Sequence, residues 1–244
     1  MKIGILGADG RMGQIIAREI LSKQYPAELG ASAGRNGDKE SAFRACDVII
    51  DFTSAKAAPE HAALAAKYKK PLVVGTTGLG AEEEAALAAA AQKSPILYAA
   101  NMSLGVNLLL ALVEQAALML GPAFDIEIFE AHHRNKIDAP SGTALALGHA
   151  AATGRGVKLK DVMILDRDGK RKEGGIGISV FRGGDIVGEH TVTFAGLGER
   201  LDLTHKASDR ALFAKGAIKA ALWLKGQPPG LYSMQDVLGI KTPA

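Results

Sequence analysis

One stretch of the chain contains most of the side chains that could carry out chemistry: EAHHRNKIDAPSGTA, from Glu130 to Ala144. It contains two adjacent histidines, His132 and His133, then Lys136, then a Pro-Ser-Gly-Thr turn that opens an alanine-rich run. Histidine and lysine can hold and move protons, and neutral histidine can bind a metal ion. The stretch is therefore a candidate proton-transfer site, a metal site or a solvated loop.

The spacing disfavours a metal site. Neighbouring residues of a strand point to opposite faces, so His132 and His133 cannot serve one ion from a regular strand, and we expect the strand Asp125–Glu130 to end near Ala131. No helical i, i+4 pair of ligands and no converging set of carboxylates or thiols accompanies them. The single cysteine, Cys46, also excludes a cysteine-based zinc site. We predict no metal.

An anion site fits the same residues better. The run SGTALALGHAAAT indicates a helix, and the unpaired N–H groups and dipole of a helix N-terminus stabilise an anion by about 0.3–1 kcal/mol. Lysine and histidine beside that end add charge and donors, and both can transfer protons. We predict His132 and Lys136 as catalytic residues. The residues predicted to bind a carboxylate substrate are His133, Lys136, Ser141, Gly142 and Thr143.

The segment GILGADGRMG indicates a dinucleotide site. Its glycines follow the first apolar run and open a helical pattern, where free N–H groups can bind a pyrophosphate. The spacing is G-x-x-G-x-x-G rather than G-x-G-x-x-G, so its position between strand and helix carries the inference; a tight turn without a ligand is the alternative. The residues predicted to bind the cofactor here are Gly7, Ala8, Asp9, Gly10, Arg11, Met12 and Gly13.

The second strand bears on the choice of cofactor. An acid is expected at its end when the ribose is unphosphorylated. Here Gly34 and Arg35 stand instead, with no carboxylate to repel a 2′-phosphate and an arginine to bind one. We predict NADPH as the preferred cofactor and NADH as possible, since Asp38 could turn inward. Strand ends at GTTG and AANMS extend the predicted site to Gly75, Thr76, Thr77, Ala99, Ala100, Asn101 and Met102.

The first hundred residues alternate apolar runs with helical patterns. The runs are Lys2–Leu6, Ala27–Ala33, Val48–Phe52, Leu72–Val74 and Ile96–Tyr98, separated by helical stretches at Arg11–Ser22, Ala55–Tyr68 and Ala81–Gln92. This rhythm predicts an α/β protein with an N-terminal Rossmann-type doubly wound parallel sheet. After an apolar helix at Gly105–Leu120, alternation at period two predicts a smaller α+β domain with a mixed or antiparallel sheet.

We predict two domains. Residues 1–103, completed by the C-terminal segment 211–244, form the dinucleotide-binding domain, and residues 104–210 form the substrate-binding and oligomerisation domain. The final helix, Asp209–Leu224, and the tail around Tyr232–Leu238 are expected to lack a sheet of their own and to dock on the first domain.

Composition narrows the class of protein. A formal net charge of +3 with dispersed basic residues argues against nucleic acid. We read no apolar run as long enough to span a bilayer and no cleavable signal before MKIGILG, so we expect a cytoplasmic protein without membrane partners. The basic cluster Gly169–Gly175 is interpreted as a mobile loop, with attraction of an anion as the alternative. We expect His61 and His149 on the surface, and His190 and His205 away from the site.

From end to end the chain resembles the 4-hydroxy-tetrahydrodipicolinate reductase family, also called dihydrodipicolinate reductases, of bacterial lysine and diaminopimelate synthesis. The similar elements occur in family order: GADGRMG, DFT, GTTG, AANMS, EAHHRNKIDAPSGTA, GERLDLTHKASDR and GLYSMQDVL. The resemblance implies a homotetrameric NAD(P)H-dependent oxidoreductase that reduces a cyclic dicarboxylate to tetrahydrodipicolinate.

The resemblance also implies residue roles. His132 would donate or accept a proton, Lys136 would donate one, and Arg210 is a further candidate for binding the substrate. The chain departs from the family at Gly34, where many members carry an acid, and the segment between Arg35 and Cys46 is short. A dehydrogenase of the same architecture acting on another small acid is the alternative function, and a nucleotide-binding protein without chemistry is a third.

Overall fold

The computed structural model describes residues 1–166 and 168–240. The chain divides into two compact units, unit 1 with Met1–Leu104 and Ala211–Ala244, and unit 2 with Gly105–Arg210. The last four residues of the predicted segment 211–244 lie outside the described residues. The strands are β1 Lys2–Leu6, β2 Glu28–Ala33, β3 Val48–Asp51, β4 Leu72–Val74, β5 Pro95–Tyr98, β6 Asp125–His132, β7 Met163–Ile164, β8 Ile176–Arg182, β9 Gly188–Ala195, β10 Arg200–Ala207 and β11 Gly230–Tyr232. The helices are α1 Arg11–Leu21, α2 Lys39–Ala45, α3 Ala58–Tyr68, α4 Ala81–Ala91, α5 Leu104–Leu120, α6 Gly142–Gly154, α7 Leu159–Val162, α8 Ala211–Leu224 and α9 Met234–Leu238.

Unit 1 is a doubly wound sheet. Its six strands lie in the order β11-β5-β4-β3-β1-β2, and every pair is parallel. Two apolar clusters cover its faces: Ile3 and Ile50 belong to one, Leu6 and Ile49 to the other. Both faces are buried, which explains why these strands read as continuous apolar runs. The predicted fold class is confirmed.

The C-terminal tail docks on unit 1, as expected, and does so by adding a strand to its sheet, which the sequence analysis did not identify. Gly230–Tyr232 pairs with β5 in parallel register, Leu231 opposite Ile96. The sequence analysis also missed α2. Asp38 caps this helix by accepting a hydrogen bond from the Ser41 N–H at 3.0 Å, so its carboxylate is already engaged.

Unit 2 contains a mixed sheet in the order β10-β9-β6-β8-β7. β6 runs parallel to β8 and antiparallel to β9, which is the predicted mixed arrangement. One face buries Ile126, Ile128 and Phe194 with residues of α5 and α6. On the opposite face Phe129 and Phe181 are exposed. The loop predicted to be mobile is anchored, because Arg171 forms ion pairs with Asp125 at 2.9 Å and Glu127 at 3.1 Å.

The helical run Leu104–Ala123 corrects the expectation about bilayer-spanning length. An 18-residue window of this 20-residue run has a mean hydropathy of 1.7, so the run is long and apolar enough to cross a membrane, and a third of that window is buried. Core helices meet the same criterion, and Val113 and Ala117 of α5 are fully buried within unit 2.

Helix α8 approaches the backbone after β5 closely at Gly216. A Cβ at this position would lie 1.8 Å from the carbonyl oxygen of Met102. Because the obstacle is backbone rather than a flexible side chain, an added methyl group must push the helix and the 99–103 segment apart.

We expect Gly216→Ala to lower the free energy of unfolding by about 2–3 kcal/mol, through overpacking of a close backbone contact. Urea-induced unfolding measures it. The matched control is Gly226→Ala, whose Cβ would meet the Trp223 carbonyl oxygen at an ordinary 3.9 Å. Equal destabilisation by both substitutions would contradict the close approach.

Candidate active site

A buried carboxylate, Glu130, organises the polar end of the unit 2 sheet. Its side chain is fully buried, and each oxygen accepts two hydrogen bonds. Oε1 accepts from the Ser141 N–H and from Nη2 of Arg182, each at 2.8 Å. Oε2 accepts from Nη1 of Arg182 at 2.8 Å and lies 2.6 Å from Nδ1 of His132. A complete set of partners is what permits a carboxylate to stay buried.

Strand register brings these groups together. Residues 126, 128, 130 and 132 share one face of β6, so the apolar face ends in Glu130 and His132. Arg182 on β8 lies opposite His132 in the strand register, and His190 on β9 lies opposite Glu130. β6 continues through His132, two residues beyond the predicted end. Only then does the chain turn, with the His133 N–H donating to the Ile186 carbonyl at 2.7 Å.

The electrostatics of this cluster follow from burial and pairing. Burial raises the pKa of Glu130, but hydrogen bonds from Arg182, His132 and Ser141 outweigh it and hold that pKa below its ordinary value. Burial lowers the pKa of His132 against the opposing effect of Glu130. Burial, with the charge of His132, lowers the pKa of His190 to about 4. Near neutral pH the carboxylate is ionised and His190 is neutral.

Two expectations about this region change. His190 was expected away from the site, yet its Nε2 lies 3.2 Å from Ser141 Oγ and its ring stands edge-on to His132 at 5.1 Å. Glu130 and Arg182 were missed altogether. The spacing of Glu130, two residues before His132 on a strand, is the signal that could have found it.

Helix α6 begins where the sequence predicts. Ser141 is its N-cap, with Oγ accepting from the Ala144 N–H at 3.2 Å. Open space surrounds Gly142, since a Cβ there would meet no atom within 4 Å. This helix end, exposed at Gly142 and partly buried at Thr143, has the polarity that attracts an anion.

Lys136 lies in the loop between β6 and α6. Its Nζ is 2.9 Å from Oδ1 of Asp138, and this ion pair lowers the pKa of Asp138. The Lys136 N–H donates to the His133 carbonyl, which closes a turn. Arg210 follows β10 and has no hydrogen bond to the Glu130 network among the described residues. Within those residues, no group of three or more His, Cys, Asp or Glu side chains is arranged to hold a metal ion.

In unit 1, the glycine loop forms a tight connection from β1 to α1. Gly7 has φ of 82°, a conformation that L side chains rarely adopt, and its N–H donates to the Ala33 carbonyl at 2.9 Å. A Cβ on Gly13 would lie 2.2 Å from the Gly7 carbonyl oxygen, so α1 begins hard against the loop. This is the close helix–strand packing of a dinucleotide-binding loop.

The position of Asp9 changes the interpretation of the second strand. The sequence suggested that no carboxylate stands beside Gly34. In the structure Oδ2 of Asp9 accepts a hydrogen bond from the Arg35 N–H at 3.3 Å, and a Cβ on Gly34 would lie 1.8 Å from that oxygen. A carboxylate and a guanidinium therefore both stand at the end of β2.

The other strand ends meet at the same edge of the sheet. Asp51, at the end of β3, is fully buried; its Oδ1 accepts from Thr53 N–H at 2.9 Å, and Thr53 N–H also donates to Oγ1 of Thr76 at 3.1 Å. His61 was expected on the surface but is fully buried, with Nδ1 2.6 Å from Oδ2 of Asp51. This pair fastens α3 to the strand edge where the GTTG segment lies.

Sequence comparison identifies the family. The family model described as dihydrodipicolinate reductase, N-terminus, matches residues 1–102, and the model described as dihydrodipicolinate reductase, C-terminus, matches residues 105–238.

Named relatives agree over nearly the full length. A 4-hydroxy-tetrahydrodipicolinate reductase of Caulobacter vibrioides is 52% identical over 254 residues, covering 99% of this chain and 98% of that protein. One of Zymomonas mobilis is 50% identical over 250 residues, covering 98% of each. A solved structure of dipicolinate-bound dihydrodipicolinate reductase from Paenisporosarcina sp. TG-14 has the same fold, with a TM-score of 0.76 and 24% identity over 97% of this chain and 98% of that one. The chain therefore belongs to the dihydrodipicolinate reductase family of NAD(P)H-dependent oxidoreductases.

Proposed function

We propose that this chain reduces 4-hydroxy-tetrahydrodipicolinate to tetrahydrodipicolinate with a hydride from NAD(P)H, in lysine and diaminopimelate synthesis. The hydroxyl group and one ring hydrogen leave together as water, and the ring then gains one hydride from the nicotinamide and one proton. Family membership supports the reaction. The single observation that supports the residue roles is the buried hydrogen bond from Nδ1 of His132 to Glu130, beside the start of α6.

His132 and Lys136 supply protons in this proposal. His132 is held through Nδ1, so Nε2 is the nitrogen that can exchange a proton with substrate. The negative charge of a dicarboxylate beside the imidazole ring would favour the protonated form of His132. The ammonium group of Lys136 provides a second source of protons and a positive charge that attracts a substrate carboxylate. Gly142 and Thr143 at the start of α6, with His133, bind the dicarboxylate, and Arg210 is a further contact of this kind. Ser141, predicted to bind it too, is buried with its N–H and Oγ already engaged, so it supports this helix end from within.

Unit 1 holds the nucleotide in this proposal, through the Gly7–Gly13 loop, the GTTG segment and the AANM segment. The nicotinamide supplies the hydride when it is bound. NADPH is preferred, because Arg35 can pair with a 2′-phosphate in the bidentate manner of arginine. NADH remains a substrate, because the carboxylate of Asp9 beside Gly34 can accept a hydrogen bond from a ribose 2′-hydroxyl.

We also propose that unit 2 forms a homotetramer, supported by family resemblance and by the open sheet face. Phe129 is 44% exposed and Phe181 is 47% exposed on that face. They lie on the neighbouring strands β6 and β8, and adjacent exposed apolar side chains can form the kind of contiguous patch that marks a protein-binding surface. Sedimentation equilibrium tests this, and a monomer would contradict it. A cytoplasmic location is proposed with it, in keeping with a reduced cofactor and one free, buried cysteine.

A coupled assay tests the function. Pyruvate and aspartate semialdehyde, condensed by the preceding synthase, supply the unstable substrate, and the loss of reduced nicotinamide is followed with NADPH and NADH in parallel. Turnover that requires the synthase supports the proposal. Cofactor binding without turnover would instead favour a dehydrogenase of another small acid or a binding protein.

We expect His132→Gln to lower kcat about 10²–10⁴-fold, because it removes a positioned proton donor. The Kd for NADPH, measured by the change in nicotinamide fluorescence, should stay near its wild-type value, since the nucleotide contacts proposed above lie in unit 1. His149→Gln is the matched control, because His149 is exposed on α6. A similar loss of turnover in both variants, or a parallel loss of NADPH binding, would contradict the role of His132.

Two substitutions, one that removes a positive charge and one that removes a negative charge, test the cofactor preference. Arg35→Ala should weaken NADPH binding more than NADH binding, because it removes the partner of the 2′-phosphate. Asp9→Asn should change the ratio in the opposite direction, because it removes a negative charge beside Gly34. Each shift is expected to be roughly five- to tenfold, as for a partly exposed ion pair worth about 1 kcal/mol. An unchanged NADPH/NADH ratio in both variants would show that neither side chain meets the ribose.

A further inference from the structure

We propose that Glu130 is a positioning residue that holds the proton donor and the substrate-binding helix end with one carboxylate. This inference rests on the function proposed above and adds a residue to which no role was assigned. The two arms of the carboxylate point to different parts of the site. Oε2 is shared by His132 and Arg182, and Oε1 by Ser141 and Arg182.

Glu130 itself is unsuited to touch the substrate. Its side chain has no exposed surface, and both oxygens already accept two short hydrogen bonds. Arg182 binds it through two parallel N–H groups, the geometry that fixes a carboxylate most strongly. A carboxylate in this state is a poor proton acceptor, so its effect must pass through the groups that it holds.

The first of these groups is His132. An ionised carboxylate can only accept hydrogen bonds, so the Nδ1 atom 2.6 Å away carries the ring proton. The tautomer is thereby fixed, and Nε2 becomes the nitrogen for proton exchange. On the neighbouring strand β9, a Cβ on Gly188 would lie 3.1 Å from Nε2. Glycine at this position leaves that nitrogen uncrowded.

The second group is the start of α6. The Ser141 N–H donates to Glu130, and Nη2 of Arg182 donates to the Asp138 carbonyl oxygen at 2.6 Å. The pair thus fastens two points of the segment that precedes the helix. Lys136 lies in the same loop and is paired with Asp138. Loss of the carboxylate should loosen the helix end as well as the imidazole.

The charges around His132 determine in which direction its pKa should change when Glu130 is replaced. Glu130 on β6 favours the protonated ring, whereas Arg182 on β8 and Lys136 in the following loop disfavour it. His190 on β9, against the ring, has its pKa lowered to about 4 and is neutral near pH 7. Replacing the Glu130 carboxylate with an amide leaves the two cations unopposed. The protonated form of His132 is then lost at lower pH.

The test compares Glu130→Gln with Glu127→Gln. Glu127 lies on the same strand and pairs with Arg171 at 3.1 Å, so its substitution also removes a carboxylate–arginine pair. In Glu130→Gln we expect kcat to fall about 10²-fold or more. KM for the dicarboxylate should rise. The limb of the kcat/KM profile that falls with rising pH should move to lower pH by about one unit or more. Glu127→Gln should keep the wild-type limb and kcat.

Two further variants separate positioning from folding. Glu130→Asp keeps the charge but shortens the reach, so kcat should fall while the pH limb stays near its wild-type position. The double variant Glu130→Gln/Arg182→Gln removes both charges and avoids an unpaired buried guanidinium. It should fold, bind NADPH normally and still show the low kcat.

Either of two results would overturn the proposal. One is a wild-type kcat in the double variant, which would mean that Glu130 only balances Arg182. The other is a folded Glu130→Gln enzyme with the wild-type pH limb and kcat. Failure of the proposed function is a different outcome, because the wild-type enzyme itself would then show no turnover in the coupled assay.

Discussion

The polar end of the unit 2 sheet depends on the bidentate ion pair between Glu130 and Arg182. Both charges come from strands, β6 and β8, and meet where the apolar face of the sheet gives way to the loops. An isolated buried carboxylate would be neutralised or would disrupt the core. Arg182, the Ser141 N–H and His132 together hold the pKa of Glu130 low, so the site retains a fixed negative charge without contact with water.

That fixed charge explains why a histidine and a helix start can share one small volume. The dipole at the start of α6 and the ammonium group of Lys136 both disfavour a protonated imidazole nearby. Glu130 opposes them from the Nδ1 edge of the ring and leaves Nε2 free of this contact. The arrangement suits a substrate that brings its own negative charge. In the site proposed above, the dicarboxylate completes this balance of charge when it binds.

Sequence patterns predicted the elements better than the contacts between them. Continuous apolar runs predicted the parallel strands, because a strand that is buried on both faces has apolar residues at successive positions. β11 has only three residues, which are too few to form a recognisable apolar run. The pairing of His61 with Asp51 depends on which face α3 presents, and the approach of Asp9 to Gly34 joins residues on two loops. Period-two alternation did contain the Glu130–His132 contact, which the emphasis on adjacent histidines obscured.

The two units differ in how their polar groups are exposed, and this difference bears on how the enzyme can vary. Asp9 and Arg35 are exposed side chains on loops, where a change of charge costs little in packing. Glu130 and Arg182 lie on neighbouring strands and form one ion pair, so a change in either leaves the other without its charged partner. Under the roles proposed above, cofactor choice can therefore shift by single substitutions of Asp9 or Arg35. A change at either member of the Glu130–Arg182 pair requires a compensating change on the neighbouring strand.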